Sequence, residues 1–400
     1  MVGKSRSARR KPAPKPRATS PAAGRKQTDD QIEGDETPEG IENYPLDDLL
    51  IRTESRAIQD VLRRIKNKQI DLDPEFQRAF QWDEEKQSKL IESVLMRIPL
   101  QVFYFAENEN GDLVVVDGLQ RLTTFRRFYN NELTLDLKAR DQLNGKKFEN
   151  IDSKLQIRFE DGQVTFYIIG SKVPERVRLD IFERVNGGTP LTRQQMRHAI
   201  YNGESTRLLS RLAGMDLFKT ATGGALGSDE NVRAMKDREA VNRFLAYFLL
   251  GWSQYLDTNY DDFLARALRE TNDRFRDKSM IDDRSAVREK VATAFSASMK
   301  MNWQIFGEHA FRKSLVDPEG RRSAFNLALF DAFSTALGHY DERTLTPAKA
   351  KAIHVATTKL LKQKKFHDAV SFATTKASNV QIRFEMVEKM LEEVLGAPHS

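Results

Sequence analysis

Val114-Val115-Val116-Asp117-Gly118-Leu119-Gln120-Arg121-Leu122-Thr123-Thr124 decides the architecture. Three consecutive valines read as a short strand buried on both faces. Asp117-Gly118 ends it. Leu119 to Tyr129 then reads as a helix, with Leu119, Leu122, Phe125 and Tyr129 at helical spacing. A strand delivered through a glycine to a helix N-terminus makes a ready anion site. The first backbone N–H groups have no intrahelical partner, and the positive end of the helix dipole points outward. Gln120 and Arg121 add side-chain donors, and an arginine suits bidentate phosphate contact. Asp117 could hold a divalent metal or orient a water. The same residues also suit a plain structural reading: Asp117 as a cap, Gly118 as a turn, Arg121 in a surface ion pair. Spacing does not separate the two.

Working upstream, Gln101 to Ala106 reads as a strand, and Asn110-Gly111 is a turn signal joining it to Leu113–Val116. Before it, Leu90, Ile91, Val94 and Leu95 line one face of a helix that Asp83 caps and Pro99 stops. Earlier still, Ile58, Val61, Leu62 and Ile65 line another. Downstream, Val164 to Ile169 is a third β stretch. Pro174 opens a helix carrying Val177, Ile181, Phe182 and Val185, and Asn186-Gly187-Gly188 closes it. Thr192 to Gln195 is a capping-box pattern. Beyond Glu204 strands nearly vanish. Helices are expected over Ala240–Leu250, apolar on most sides, and near 260–275, 284–306, 323–338, 347–364 and 379–394. The pattern is therefore α+β: a domain over 44–203 with a small mixed sheet, followed by an all-helical domain over 204–400.

The net charge of +6 conceals an asymmetry. Residues 1–28 hold nine Lys/Arg and no acid, and residues 29–48 hold nine acids and no base. Both blocks are too polar to bury a core, so 1–43 reads as a disordered tail. It is either a basic arm for nucleic-acid phosphates or a solvated leader screened by its own acids.

Composition excludes several chemistries. The chain has no cysteine, hence no disulfide, thiolate metal site or cysteine nucleophile. Six histidines lack metal-ligand spacing. No apolar run approaches the ~20 residues of a membrane span, and no apolar segment follows the charged start as a secretory signal requires. A cytoplasmic protein is expected. The loop Ala221–Ser228 is glycine-rich but lacks the Lys-Ser/Thr end of a P-loop.

Two further stretches could carry chemistry. Pro74-Glu75-Phe76-Gln77-Arg78-Ala79-Phe80-Gln81-Trp82 is a second Gln-Arg pair, on a loop rich in aromatics. Its rings are expected to plug the core, leaving Gln77 and Arg78 for a ligand. Phe182-Glu183-Arg184-Val185-Asn186-Gly187-Gly188-Thr189-Pro190-Leu191 sets Arg184 and Asn186 beside two glycines that permit close backbone approach; an ordinary helix end reads equally well. Arg197, one turn into the next helix, is expected on the same cleft.

Taken together, P-x-F-Q-R-x-x-x-W, D-G-x-Q-R-L-T-T and F-x-R-x-N-x-G-G-T-P-L, in that order, resemble the GmrSD-type restriction endonuclease N-terminal domain family. The joint match is far more specific than any one piece. The resemblance implies a ParB/sulfiredoxin-like fold and a D-G-Q-Q-R box linked to binding and hydrolysis of a nucleoside triphosphate, with Mg2+, in DNA restriction or phage defence. On this chain it implies Asp117 and Gln120 as catalytic residues, with Asp117 on the metal. The nucleotide would be held by Gln77, Arg78, Gly118, Arg121, Thr123, Arg184, Asn186 and Arg197. It further implies DNA as a partner and allows a separate nuclease subunit and an oligomer. A nucleotide-gated DNA-binding or adaptor protein without turnover is the alternative, and a ParB-like nuclease a more distant one. Leu119 replaces the first Gln of the box and cannot hydrogen-bond there. Many relatives append an HNH-type nuclease with paired histidines; His309, His339, His354 and His367 are scattered instead.

Overall fold

The computed structural model describes residues 32–33, 51–72, 82–108, 111–138, 140, 142–185, 191–256, 258–276, 281–317, 319 and 321–398. In chain order β1 (Ile32–Glu33) comes first, and the sheet-bearing half then contains β2 (Ile51–Ala57), α1 (Ile58–Lys66), β3 (Ile70–Asp71) and α2 (Glu84–Leu95). It continues through β4 (Phe103–Glu107), β5 (Leu113–Asp117), α3 (Leu119–Tyr129), α4 (Ser153–Glu160), β6 (Gln163–Ile169), α5 (Glu175–Val185) and α6 (Arg193–Ile200). Five strands form one mixed sheet in the order β2-β6-β4-β5-β3. β2/β6 and β4/β5 pair antiparallel, β4/β6 and β3/β5 parallel.

The period-2 alternation of the strands sorts their side chains onto two faces. Phe103, Phe105, Leu113, Phe166 and Ile168 pack on one face against Val61, Ile91, Leu122, Phe125 and Phe159 of α1 to α4. Ala106, Val116 and Ile169 point the other way, onto Val177, Phe182 and Met196 of α5 and α6. β5 is thus covered on both sides, as its run of valines implies. The expected caps form: Asp83 accepts from the Lys86 amide at 2.8 Å, and Thr192 and Gln195 make a capping box.

β2 is the longest strand that patterning misses. Ile51-Arg-Thr-Glu-Ser-Arg-Ala57 is mostly exposed, so no apolar alternation marks it. It stands on backbone hydrogen bonds to β6 along its whole length and on ion pairs such as Arg52–Glu107 at 2.8 Å.

The rest of the chain is helical. α7 (Glu204–Ala213), α8 (Asp216–Ala221), α9 (Asp229–Arg233), α10 (Lys236–Leu250), α11 (Tyr260–Arg276) and α12 (Ile281–Phe306) come first. After the two-residue β7 (Phe325–Asn326) follow α13 (Leu327–Gly338), α14 (Pro347–Leu361), α15 (Lys364–Ser371) and α16 (Ala377–Leu395). Every residue of α13 is buried. Its one charge, Asp331, is held by Arg243 at 2.5 Å and Arg383 at 2.9 Å, as a buried carboxylate requires. The helix expected over 347–364 stops at Leu361 and α15 restarts at Lys364. Within the stretch read as a tail, Ile32–Glu33 pairs in parallel with β7.

No helix is long and apolar enough to cross a membrane among the described residues.

Candidate functional site

At the end of β5 the chain turns through Gly118 with φ +105°, a conformation that favours glycine. A β-carbon there would stand 2.3 Å from the Phe103 ring. This glycine is needed to seat α3 on the sheet.

Arg121 follows one turn into α3 and points back beneath the turn. Its side chain pairs with Asp117 at 2.7 Å, donates to the carbonyls of Gln101 and Val102, and lies over the Phe103 ring at 4.2 Å from the centroid. Only 7% of the residue is exposed. Burial pulls its pKa below the usual arginine value, and the Asp117 charge opposes that shift. The expected phosphate ligand is therefore an internal brace joining the start of β4 to the end of β5. Asp117 is correspondingly engaged. Among the described residues no group of three or more His, Asp or Glu could hold a metal ion, and the one carboxylate at this corner already faces a guanidinium. The described residues at this corner therefore offer no set of carboxylates to hold Mg2+.

Gln120 does something sequence reasoning left open. Its side-chain oxygen accepts from the Trp82 amide at 3.3 Å. The Trp82 carbonyl accepts from Gln87 at 2.7 Å, and Gln87 accepts in turn from Arg127 at 2.6 Å. This polar ladder ties the start of α2 to α3. The segment 73–81, which carries Gln77 and Arg78, lies outside the described residues, but both its anchors are visible. Trp82 sits against Gln120. Leu72 leaves β3, which runs parallel to β5 and so heads toward the Asp117 end of the sheet. Trp82, the last residue of the first signature stretch, thus meets the second stretch at the N-terminus of α3. No side chain caps that terminus, which leaves its first amides the features of an anion site. Thr123 lies on the same turn with a buried hydroxyl that has no partner.

The third stretch lies elsewhere. Phe182 and Met196 belong to the apolar cluster on the opposite face of the sheet from α3. Arg184 is exposed near the end of α5, and Asn186 lies outside the described residues. Arg197 is 1% exposed. Its guanidinium is bound to the fully buried Asp261 of α11, which also receives Arg193 at 2.5 Å. Arg193 further holds Asp180 at 2.6 Å and Glu183 at 3.1 Å. The expected cleft residue is part of an ionic lock between the sheet-bearing half and the helices. Nothing local in the sequence announces this, because the partner lies 64 residues away.

The same seam encloses a cavity of about 390 Å³ that sequence reasoning missed, lined by Asn108, Glu175, Arg178, Tyr201, Asp262 and Asn272 among others. Burial pushes the Glu175 carboxyl up, although Arg178 and the Tyr201 hydroxyl, at 2.9 Å, stabilise its ionised form. It sits toward the Glu107 end of β4, since Arg178 donates to the Glu107 carbonyl. That is the end of the sheet away from Gly118.

Residues 58–202 match the family model described as GmrSD restriction endonuclease, N-terminal domain. No curated protein and no solved structure matches the chain. The match spans α1 through α6, holds all three signature stretches and ends at the seam with the helices. Residues 58–202 of this chain belong to the GmrSD restriction endonuclease N-terminal domain family.

Proposed function

We propose that this protein binds a nucleoside triphosphate at the N-terminus of α3 and couples that binding to action on DNA in a cytoplasmic restriction or phage-defence system. The carrying observation is the Trp82–Gln120 hydrogen bond, which brings an anchor of the Gln77-Arg78 segment to an uncapped helix terminus behind Gly118. The helix amides would take a phosphate, with Arg78 as the charged contact and Gln120 holding the segment's end. The finer expectation of a ParB/sulfiredoxin-like fold belongs to this proposal. Arg121 and Arg197 enter it as structural residues, and the catalytic and metal roles expected of Asp117 do not enter it.

A second reading, binding without fast turnover, is favoured by Leu119. Its side chain packs against the apolar cluster under α3, where the family box has a glutamine. Calorimetric titration of ATP and GTP, with and without Mg2+ and DNA, tests binding. Arg78→Ala should weaken binding at least tenfold while leaving the melting curve unchanged; no affinity for any triphosphate sinks the proposal. Hydrolysis is tested on the same samples. Wild type is expected to turn over slowly, and Leu119→Gln to raise the rate by on the order of 10² with little change in affinity, as for a polar contact made mainly in the transition state. An unaltered rate leaves position 119 as packing alone.

A further inference from the structure

We infer that the face formed by α14 and the start of α15 is a binding surface for the phosphate backbone of double-stranded DNA. The proposal deepens the DNA half of the function proposed above and stands apart from nucleotide binding. Between Glu342 and Asp368 the chain has six lysines, Lys349, Lys351, Lys359, Lys362, Lys364 and Lys365, and no acid. The charge blocks of residues 1–48 cancel, so these six equal the whole +6 of the protein, and the remainder is balanced.

The fold does not spend these charges internally. Some lysines elsewhere find carboxylates: Lys89 with Glu85 at 2.6 Å, Lys300 with Glu342 at 3.0 Å, Lys313 with Glu33 at 2.8 Å. None of the six makes an ion pair among the described residues, and all but Lys349 are exposed. Lys364 and Lys365 open α15, at the positive end of its dipole, where cations oppose helix formation. Lys359 and Lys362 suit the C-terminal end of α14, but local folding gives no reason for Lys364 and Lys365. Beside them, Lys351, Lys359 and Lys389 flank a shallow groove between α14 and α16, which Glu393 lines as its one acid.

The chemistry selects a duplex. At about 1.5 Å per residue α14 is about 22 Å long, matching the axial rise of roughly six base pairs at about 3.4 Å each. Phe366 is buried, and no other Phe, Tyr or Trp lies in 345–367, so single strands find little stacking platform. Lysine heads are point charges that neutralise phosphates without reading base edges. An anionic bilayer is the poorer match. Ile353, Leu360 and Leu361 are turned into the core, and Val355 is the large apolar side chain left exposed on α14, which gives no wide apolar face to insert.

The test is anisotropy of a short labelled duplex of random sequence, titrated with the full-length chain at several salt concentrations. The comparison variant is Lys359→Gln/Lys362→Gln/Lys364→Gln/Lys365→Gln. Its melting curve should match wild type. The slope of log affinity against log salt should flatten by up to about 3.6, so that wild type loses on the order of 10² more affinity than the variant between about 50 and 200 mM salt. The basic arm at residues 1–28 is present in both proteins, so the difference reports this face alone. Lys146→Gln/Lys147→Gln/Lys154→Gln, in the sheet-bearing half, should leave the slope as in wild type. Equal affinity and slope for the quadruple variant overturns the proposal. So does a quadruple variant that loses binding to phosphatidylserine vesicles while keeping its hold on the duplex. If triphosphate titrations fail but this slope change appears, the nucleotide reading falls and this one stands.

Discussion

Arg121 shows how one side chain can satisfy a motif and serve another end. In sequence, an arginine one turn into a helix that follows a glycine is a natural phosphate ligand. In the fold its guanidinium is divided between Asp117, two carbonyls and the Phe103 ring. Arg121→Ala should therefore destabilise the protein rather than only empty a site. Asp117 is partly exposed and can rehydrate. The carbonyls of Gln101 and Val102 lose their donor, however, and a gap opens over Phe103, together costing about 2–3 kcal/mol. Lysine lacks the fork that reaches all three acceptors, so Arg121→Lys should restore less than half. Urea denaturation measures both. A wild-type midpoint for Arg121→Ala would return this residue to the ligand site.

Among elements, β1 and β2 are held by backbone pairing and charge with little apolar burial, and both escaped the hydrophobic pattern. β1 is two residues from an acidic stretch, docked on β7 with Glu33 against Lys313 and Asn326. Deleting residues 1–43 removes it. Asn326 keeps its bond to the Val370 carbonyl, and the Glu33–Lys313 pair is partly exposed, so the loss should be about 1 kcal/mol or less. The truncated chain should melt within a few degrees of full length and bind nucleotide unchanged. A drop of several kcal/mol would make β1 an integral strand. A shallower salt dependence of DNA binding in the truncated chain would show the basic arm at work beside the α14–α15 face.

For the whole molecule, Asp261 is the joint. It is fully buried and faces the Arg193 and Arg197 guanidiniums across the seam between the sheet-bearing half and the helices. Asp261→Asn should cost about 3–5 kcal/mol, because a buried guanidinium left without its carboxylate is penalised more than the intact pair stabilises. Adding Arg197→Met, which removes the stranded charge, should recover part of that loss. Denaturation of both variants, with limited proteolysis of the connection after Ile200, measures stability and docking separately. Equal stability of wild type and Asp261→Asn would mean that apolar packing alone holds the two halves together.

Much of this was legible in the residues themselves. The valine run of β5, the glycine turn and the apolar stripe of α3 follow from periodicity and backbone sterics, which act over a few residues. So do the caps at Asp83 and Thr192 and the shift to helices after residue 204. The order of the three signature stretches was enough to indicate the family. What only the tertiary structure decided was which charges are spent. Arg121 and Arg197 look alike in sequence to Arg184, yet two are buried against carboxylates and one is exposed. Asp261 is one aspartate among many until α11 brings it against α6. Pairing across tens of residues depends on how elements dock. Burial then sets the cost of leaving a charge unpartnered, and neither quantity is written in local spacing.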